Sequence, residues 1–357
     1  MPRPRLDPRQ ALSELHVHLG AAVTPAIMWG IAHAQGIRLP TKDYWAFRDL
    51  ITVGRRRKTF DSYLQLFHWT ELIQSSPIAV ERSVYEVIGG AYRKNNVTRL
   101  ELRFNPMKRN RGGEQDLDHI IAAAVRGMDR AVLEYPNARA GLILCLDRAF
   151  SRELNEIIAT KAIGWRSRGV VAIDIAGPVV HGFRFSEYAE IYATCRRAGL
   201  GLTVHAGETG GAEEVREALE ALEPDRIGHG VRSVEDPTVV AMLRERGTVL
   251  EVCPSSNLQT GVVRGHAELR ATIRTFIDEG VRFTISTDGP EMLRSYLRDE
   301  LNMLMRHDIL SLEEVCRAIA VGEEASFLGR TPAVAAPDRD LAATRNGGAP
   351  VTAEAVG

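Results

Sequence analysis

His16-Val17-His18 places two imidazoles two residues apart at the end of a short strand-like run, Ala11–His18. Side chains alternate faces along a strand, so residues i and i+2 point the same way and both rings are aimed at one point. That is how a strand offers two nitrogen ligands to one metal ion, although the same pattern also occurs as two polar residues on an exposed face. Residues of related chemistry recur in similar positions: His205 and Glu208 in Thr203-Val-His-Ala-Gly-Glu208, His229 in Arg226-Ile-Gly-His-Gly230, and Asp288 in Ser286-Thr-Asp-Gly-Pro290. Singly, each has an ordinary reading: His229 as a hydrogen-bonded rim residue, Asp288 as a turn former before Gly-Pro, Glu208 as a carboxylate at a helix N-terminus. Together, four histidines, one aspartate and one glutamate at strand ends describe a site that binds metal and moves protons. Imidazoles with one carboxylate favour Zn²⁺, with Fe²⁺, Co²⁺ or Mn²⁺ as substitutes, and these residue types exclude a cysteine site or an all-oxygen Ca²⁺ site.

Such residues need a scaffold that brings distant strand ends to one place. Apolar and β-branched runs recur eight times: Ala11–His18, Thr98–Phe104, Ala140–Asp147, Val170–Asp174, Gly201–His205, Arg226–His229, Thr248–Cys253 and Val281–Asp288. Amphipathic segments with apolar residues three and four apart lie between them: Ser83–Asn95, Leu117–Glu134, Glu153–Ser167, Phe185–Ala198, Gly211–Leu222, Pro237–Glu245 and Ala267–Glu279. Eight strand–helix repeats predict an α/β fold closed into a (β/α)₈ TIM barrel, with working residues at the carboxyl ends of the strands. An open doubly wound sheet is the alternative, but no G-x-G-x-x-G follows the first strand. About eighty residues separate the first two strands, so the first crossover should hold extra helices. In it Phe60, Tyr63, Leu64 and Phe67 recur at helical spacing; the stripe reads as core packing in preference to a roof over the barrel mouth. Residues 1–330 form one catalytic barrel on this reading. Residues Thr331–Gly357, rich in Ala, Thr, Pro, Gly and Asp without periodicity, read as a disordered tail.

Composition narrows the partners. With 45 Lys+Arg against 46 Asp+Glu, the net charge is -1, which gives no reason to expect nucleic acid or an anionic membrane and leaves a small molecule as the expected partner. No run approaches the roughly 18 apolar residues of a membrane span, and the first ten residues, MPRPRLDPRQ, lack the apolar run of a signal peptide. A cytoplasmic enzyme is expected. Cys145, Cys195, Cys253 and Cys316 are widely spaced and read as free thiols, with Cys145 and Cys253 as buried small apolar residues. A homo-oligomer is compatible with the sequence, which sets no oligomeric state.

The ordered motifs Glu14-Leu-His-Val-His-Leu, Leu100-Glu-Leu-Arg-Phe-Asn-Pro, Ala172-Ile-Asp-Ile-Ala-Gly177, Thr203-Val-His-Ala-Gly-Glu208, Arg226-Ile-Gly-His-Gly230, Glu251-Val-Cys-Pro-Ser-Ser-Asn257 and Ser286-Thr-Asp288 resemble the adenosine deaminase family of amidohydrolase-type barrels, over about Glu14 to Leu328. The resemblance implies that His16, His18, His205 and Asp288 bind the metal, that Glu208 handles protons at the purine ring, that His229 attends the attacking water, and that Gly177 offers its backbone N–H to a ring nitrogen. Related barrels with two metals bridge them with a carboxylated lysine at the end of strand four. Here that strand ends Ile173-Asp174-Ile175, so one metal is expected. Hydrolytic replacement of the purine 6-amino group requires an activated water, an acid to protonate the adjacent ring nitrogen, and a base. Glu208 as acid, with His229 and Asp288 beside the water, satisfies that list. Arg103, Asn105, Asp174, Asn257 and Glu291 read either as pocket residues or as ion pairs of the barrel rim.

Two positions depart from the family pattern. Gly20 stands where an aspartate would serve the ribose 5′-hydroxyl, and Gly289 where one would serve purine N7. Glycine also makes room, so the expected substrate keeps the aminopurine ring but differs on the sugar side; 6-amino-6-deoxyfutalosine, a nucleoside of the menaquinone pathway, fits. Ordinary adenosine or adenine is the alternative substrate. A mononuclear amidohydrolase acting on an amide or ester is the alternative reaction.

Overall fold

The computed structural model describes residues 5–54, 60–111 and 116–329; the tail expected over residues 331–357 lies outside them. Eight parallel strands follow one another in sequence order around the sheet: β1 (Leu12–His18), β2 (Val97–Phe104), β3 (Arg139–Asp147), β4 (Val170–Ala176), β5 (Gly201–Ala206), β6 (Arg226–His229), β7 (Val249–Val252) and β8 (Phe283–Ile285). The ring closes through a single bridge between Val17 and Asp288. There the His18 amide donates to the Asp288 carbonyl at 2.8 Å and the Asp288 amide donates to the His16 carbonyl at 2.8 Å. Barrel closure and the meeting of three site residues are therefore one event. The architecture is the expected (β/α)₈ barrel.

The strands alternate more strictly than their sequences suggest. In β2, Leu100, Leu102 and Phe104 join the apolar layer beneath the helices, while Glu101 and Arg103 point inward and are fully buried. The same division holds in β5 (Leu202, Val204 and Ala206 against Thr203 and His205) and β7 (Leu250 and Val252 against Glu251). Barrel interiors are usually filled by branched apolar side chains, but this one is spanned by ion pairs. Arg103 pairs with Asp174 at 3.0 Å and with Glu251 at 2.7 Å, and Arg226 pairs with Glu251 at 2.7 Å and with Glu101 at 2.6 Å. Two guanidinium groups facing three carboxylates avoid the several kcal/mol that one unpaired buried charge would cost. They also fix the carboxylates that reach the site.

Differences from the expected boundaries have local causes. The helix expected from Ser83 begins at Pro77, because Ser76 accepts a hydrogen bond from the Ala79 amide and proline occupies the first turn, where its missing N–H costs nothing. The segment expected as one helix over Phe185–Ala198 starts as a 3₁₀ turn, Phe185–Tyr188, before the α-helix Ala189–Arg197. The last strand is only three residues long, and beyond it Glu14 accepts from the backbone and hydroxyl of Thr287 at 3.2 and 2.8 Å, tying the chain to β1. The long first crossover holds the helices Leu19–Ala22, Pro25–Ala34, Tyr44–Ile51, Phe60–Ile73 and Pro77–Asn95. Tyr63, Leu64 and Phe67 of the fourth line the cavity at the barrel mouth, while Tyr63 is also buried in a small apolar cluster with Ala21, Leu66, Met292 and Leu293 against which Phe67 packs, so the stripe serves both as packing and as roof; the side chain of Phe60 lies outside the described residues. Among the described residues no helix is long and apolar enough to cross a membrane. Cys145, Cys195, Cys253 and Cys316 are free thiols, the first three buried.

Candidate metal centre and reaction cavity

His16, His18 and His205 present ring nitrogens that lie within 4.8 Å of one another. His16 and His18 come from one face of β1, as the two-residue period requires, and His205 from the end of β5, across the barrel. Each ring is oriented from behind where a partner is visible. The His16 Nδ1–H faces Glu251 Oε2 at 2.8 Å, and His205 Nδ1 faces Asp174 at 3.0 Å. With Nδ1 donating to a carboxylate, Nε2 is left with its lone pair, the state a metal ligand needs. His16 Nε2 is buried and has no hydrogen-bond partner among the described residues, and His205 Nε2 stands 3.1 Å from His18 Nε2.

Asp288 completes the group. Its Oδ2 accepts from Ser256 Oγ at 2.6 Å and from the Tyr63 hydroxyl at 3.2 Å. Its Oδ1 is 3.5 Å from His18 Nε2 and 3.9 Å from His16 Nε2. Ligand atoms about 2.0–2.1 Å from a tetrahedral Zn²⁺ stand roughly 3.3 Å apart, so these separations and the orphaned nitrogen fit a small divalent ion. Burial, followed by the charge of Arg103 for His16 and of His205 for His18, holds both imidazoles well below their usual range, as neutral donors. Burial opposes ionisation of Asp174, but the charges of His205 and Arg103 outweigh it and keep its carboxyl below the ordinary value.

Backbone geometry aims two of the working residues. Along β6, Arg226 and Gly228 face the interior, so His229 would point outward; its φ of 62° turns it back, and Asp288 has φ 62° as well. A left-handed conformation costs a non-glycine residue about 1–3 kcal/mol and persists where its surroundings enforce it. Gly228 is glycine because a Cβ there would stand 2.9 Å from His16 Cε1. The Asn257 amide faces His229 Nδ1 at 3.1 Å. With that amide donating, the neutral ring carries its proton on Nε2, which lies 3.6 Å from Glu208 Oε2. Glu208 is buried and its Oε1 has no hydrogen-bond partner among the described residues. Burial, and next the charge of Asp288, push its carboxyl well above the usual range against the opposing charge of Arg148, which favours its protonated form.

These groups open on a cavity of about 800 Å³, within the range of small-molecule sites. His18, Gly20, Gly177, His205, Glu208, His229 and Asp288 line it. Gly177 has φ 100°, and a Cβ on it would strike the Asp147 carboxylate at 2.8 Å. Gly289 lies outside the lining, packed where a Cβ would meet Ala21 at 2.7 Å and the Tyr63 hydroxyl at 3.0 Å. Gly20 leaves no vacancy, because the Phe67 ring and the Arg109 guanidinium stand 2.9 and 3.0 Å from the position of its missing Cβ. Asn105 lines the cavity, Arg103 and Asp174 belong to the ion-pair network, and Asn257 supports His229. Glu291 instead pairs with Lys94 at 2.7 Å, away from this cavity. Glu251, Ser256 and Tyr63 were not singled out as supports of the metal centre by sequence reasoning: Glu251 sits in an ordinary strand, and only folding brings Tyr63 to Asp288.

Known proteins resemble this chain in sequence and in fold. The family described as adenosine deaminase matches residues 11–334. An adenosine deaminase of Vibrio vulnificus is 31% identical over 294 residues, covering 82% of this chain and 86% of that protein. Among solved structures, an adenine deaminase of Arthrobacter aurescens superposes with a TM-score of 0.78 at 22% identity, covering 89% and 94% of the two chains. An amidohydrolase of Burkholderia ambifaria with bound zinc superposes at 0.74 and 22% identity, covering 90% and 87%.

Proposed function

Because this chain belongs to the adenosine deaminase family, we propose that it is a zinc-dependent hydrolytic deaminase of a 6-aminopurine nucleoside, replacing the amino group by oxygen and releasing ammonia. The observation that carries this reading is Glu208: a buried carboxyl, raised toward its protonated form, with one free oxygen, beside His229 and the three converging imidazoles. A hydrolase of amides or esters has no need of an acid placed for a ring nitrogen.

His16, His18, His205 and Asp288 would hold one Zn²⁺, with Fe²⁺, Co²⁺ or Mn²⁺ as substitutes. When bound, such an ion makes hydroxide available near neutral pH by lowering the pKa of water from about 15.7 toward 7. Glu208 delivers its proton to the ring nitrogen next to the amino-bearing carbon, which makes that carbon electrophilic and keeps negative charge off the ring. His229, carrying its proton on Nε2, donates to the attacking oxygen and stabilises the charge that develops there. Asp288 accepts one proton of the water through Oδ1 and passes it to the departing ammonia, while Ser256 and Tyr63 hold its other oxygen, and the proton left on the new oxygen returns to Glu208 as the carbonyl forms. Gly177 offers its backbone N–H to a second ring nitrogen.

The change at Gly20, which lines the cavity beside the Arg109 guanidinium, supports a nucleoside that departs from adenosine on the sugar side, for which 6-amino-6-deoxyfutalosine is the candidate; adenosine and adenine are the second reading, favoured by the names of the relatives. Ammonia release from adenosine, 5′-modified adenosines, 6-amino-6-deoxyfutalosine and adenine, measured side by side with and without a chelator, tests the reading. The expected result is chelator-sensitive release, greatest for a sugar-modified nucleoside. Failure of every aminopurine to yield ammonia would refute the reaction.

A further inference from the structure

One charged group in the cavity has no role in the scheme above. Arg109 ends the short 3₁₀ turn Met107–Arg109 that follows β2. It is 2% exposed and lines the cavity, and its Nε and Nη1 are buried without a hydrogen-bond partner among the described residues. Every other buried guanidinium described above is paired with carboxylates. Burial weakens the guanidinium's hold on its proton, against the charge of Glu71, which also lines the cavity. One neighbouring donor is in the same condition: Asn105 Nδ2 is buried and unpartnered among the described residues, whereas Lys108 is already taken by Asp147 at 2.5 Å. A buried cation with free N–H groups is costly unless something outside the chain supplies the missing partner.

Position in the ring says which end of a ligand Arg109 meets. Glu208 and His229 follow β5 and β6, whereas Arg109 follows β2, four strands from β6 and so across an eight-stranded barrel. A purine held with its amino-bearing carbon at Glu208 directs its sugar substituent toward Arg109 and Gly20. The Arg109 Nη2 lies 3.0 Å from where a Cβ at position 20 would be, so the guanidinium occupies space that any larger side chain at that position would contest.

We propose that Arg109, assisted by Asn105, binds an anionic group, a carboxylate or a phosphate, on the sugar side of the nucleoside and so sets substrate choice. The inference rests on the deaminase reading of this cavity. A guanidinium suits either anion, because its planar fork donates two parallel hydrogen bonds.

The test compares kcat/KM for adenosine, adenosine 5′-monophosphate and a 5′-substituted adenosine ending in a benzoate. One anionic substrate should exceed adenosine by about 10- to 100-fold, the range of a charge-assisted hydrogen bond, and its identity assigns the carboxylate or the phosphate. In Arg109→Met that ratio should collapse toward unity, with Arg109→Lys retaining part of it. Independently of turnover, calorimetry should show inorganic phosphate or benzoate binding to the wild-type protein and not to Arg109→Met. A wild type that prefers adenosine, or a ratio that survives in Arg109→Met, would overturn the proposal. Absence of ammonia from all three substrates would instead condemn the deaminase reading, and anion binding would still decide the role of Arg109.

Discussion

Replacing Gly228 by alanine adds one methyl group inside the metal centre without replacing a ligand residue. The new Cβ would lie 2.9 Å from His16 Cε1 and 3.2 Å from His16 Nδ1. Carbon atoms rest about 3.5–4.0 Å apart, so the His16 ring must retreat by roughly 0.6 Å or more. It has no easy path, because Nδ1 is held by Glu251 at 2.8 Å and that carboxylate is clamped by Arg103 and Arg226. Displacing the ring mis-aims Nε2 by a similar distance. Disturbing the support of a ligand typically costs about 10- to 100-fold in metal affinity, or about 1.4–2.7 kcal/mol at tenfold per 1.36 kcal/mol. Overpacking should cost the metal-free protein about 1–3 kcal/mol. Competition with a chromophoric chelator measures the affinity, and denaturant unfolding of the chelated protein measures the stability. Gly90→Ala is the control: it lies within the helix Pro77–Asn95, and a Cβ there meets nothing within 4 Å. It should leave metal affinity unchanged. Wild-type metal affinity in Gly228→Ala would refute the argument that position 228 is glycine to seat His16.

Two further outcomes follow from the same geometry. Glu208→Gln keeps the size of the side chain but cannot give up a proton, so kcat/KM should fall by about 10²- to 10⁴-fold with metal content unchanged, because Glu208 lies outside the histidine triad; near-normal turnover would sink the assigned role. Glu300 is buried, accepts from Ser255 and Ser295, and is raised by burial from an ordinary value of 4.5 to about 7. Its folded-state pKa exceeds the unfolded value, so the stability it contributes is full below about pH 4.5 and is lost as pH rises through about 7. That amounts to roughly 3 kcal/mol at 1.36 kcal/mol per unit. Unfolding free energies at pH 5 and pH 8 should therefore fall less in Glu300→Gln than in the wild type, and an equal fall in both would remove Glu300 from the account.

Much of the fold and of the site was legible in the sequence because it depends on short-range chemistry. Apolar, β-branched runs marked all eight strands and the 3.6-residue period marked a helix in each of the seven crossovers between them, though not the helices Leu297–Arg306 and Leu312–Ala325 that follow β8, and the residue types at strand ends pointed to the candidate ligands. The start of the helix at Pro77 was hidden because the first turn is set by a cap and a proline, not by apolar periodicity. The brevity of β8 was hidden because the chain leaves the strand at Ser286 to make the left-handed turn that presents Asp288.

By itself, then, the sequence determined an α/β barrel with a histidine and carboxylate site at its carboxyl end, both written in residue type and local spacing. The reaction came through the resemblance of its motifs to a known family. Tertiary structure alone decided which groups are paired across the barrel. It placed Glu251 behind His16 and Tyr63 on Asp288, and gave Glu208 a burial that raises its carboxyl toward the protonated form. It also filled the space beside Gly20 with Phe67 and Arg109, leaving a guanidinium in the cavity where sequence reasoning expected only room. The physical reason is that burial and Coulomb energy depend on distances between residues up to some two hundred positions apart, which no local pattern encodes.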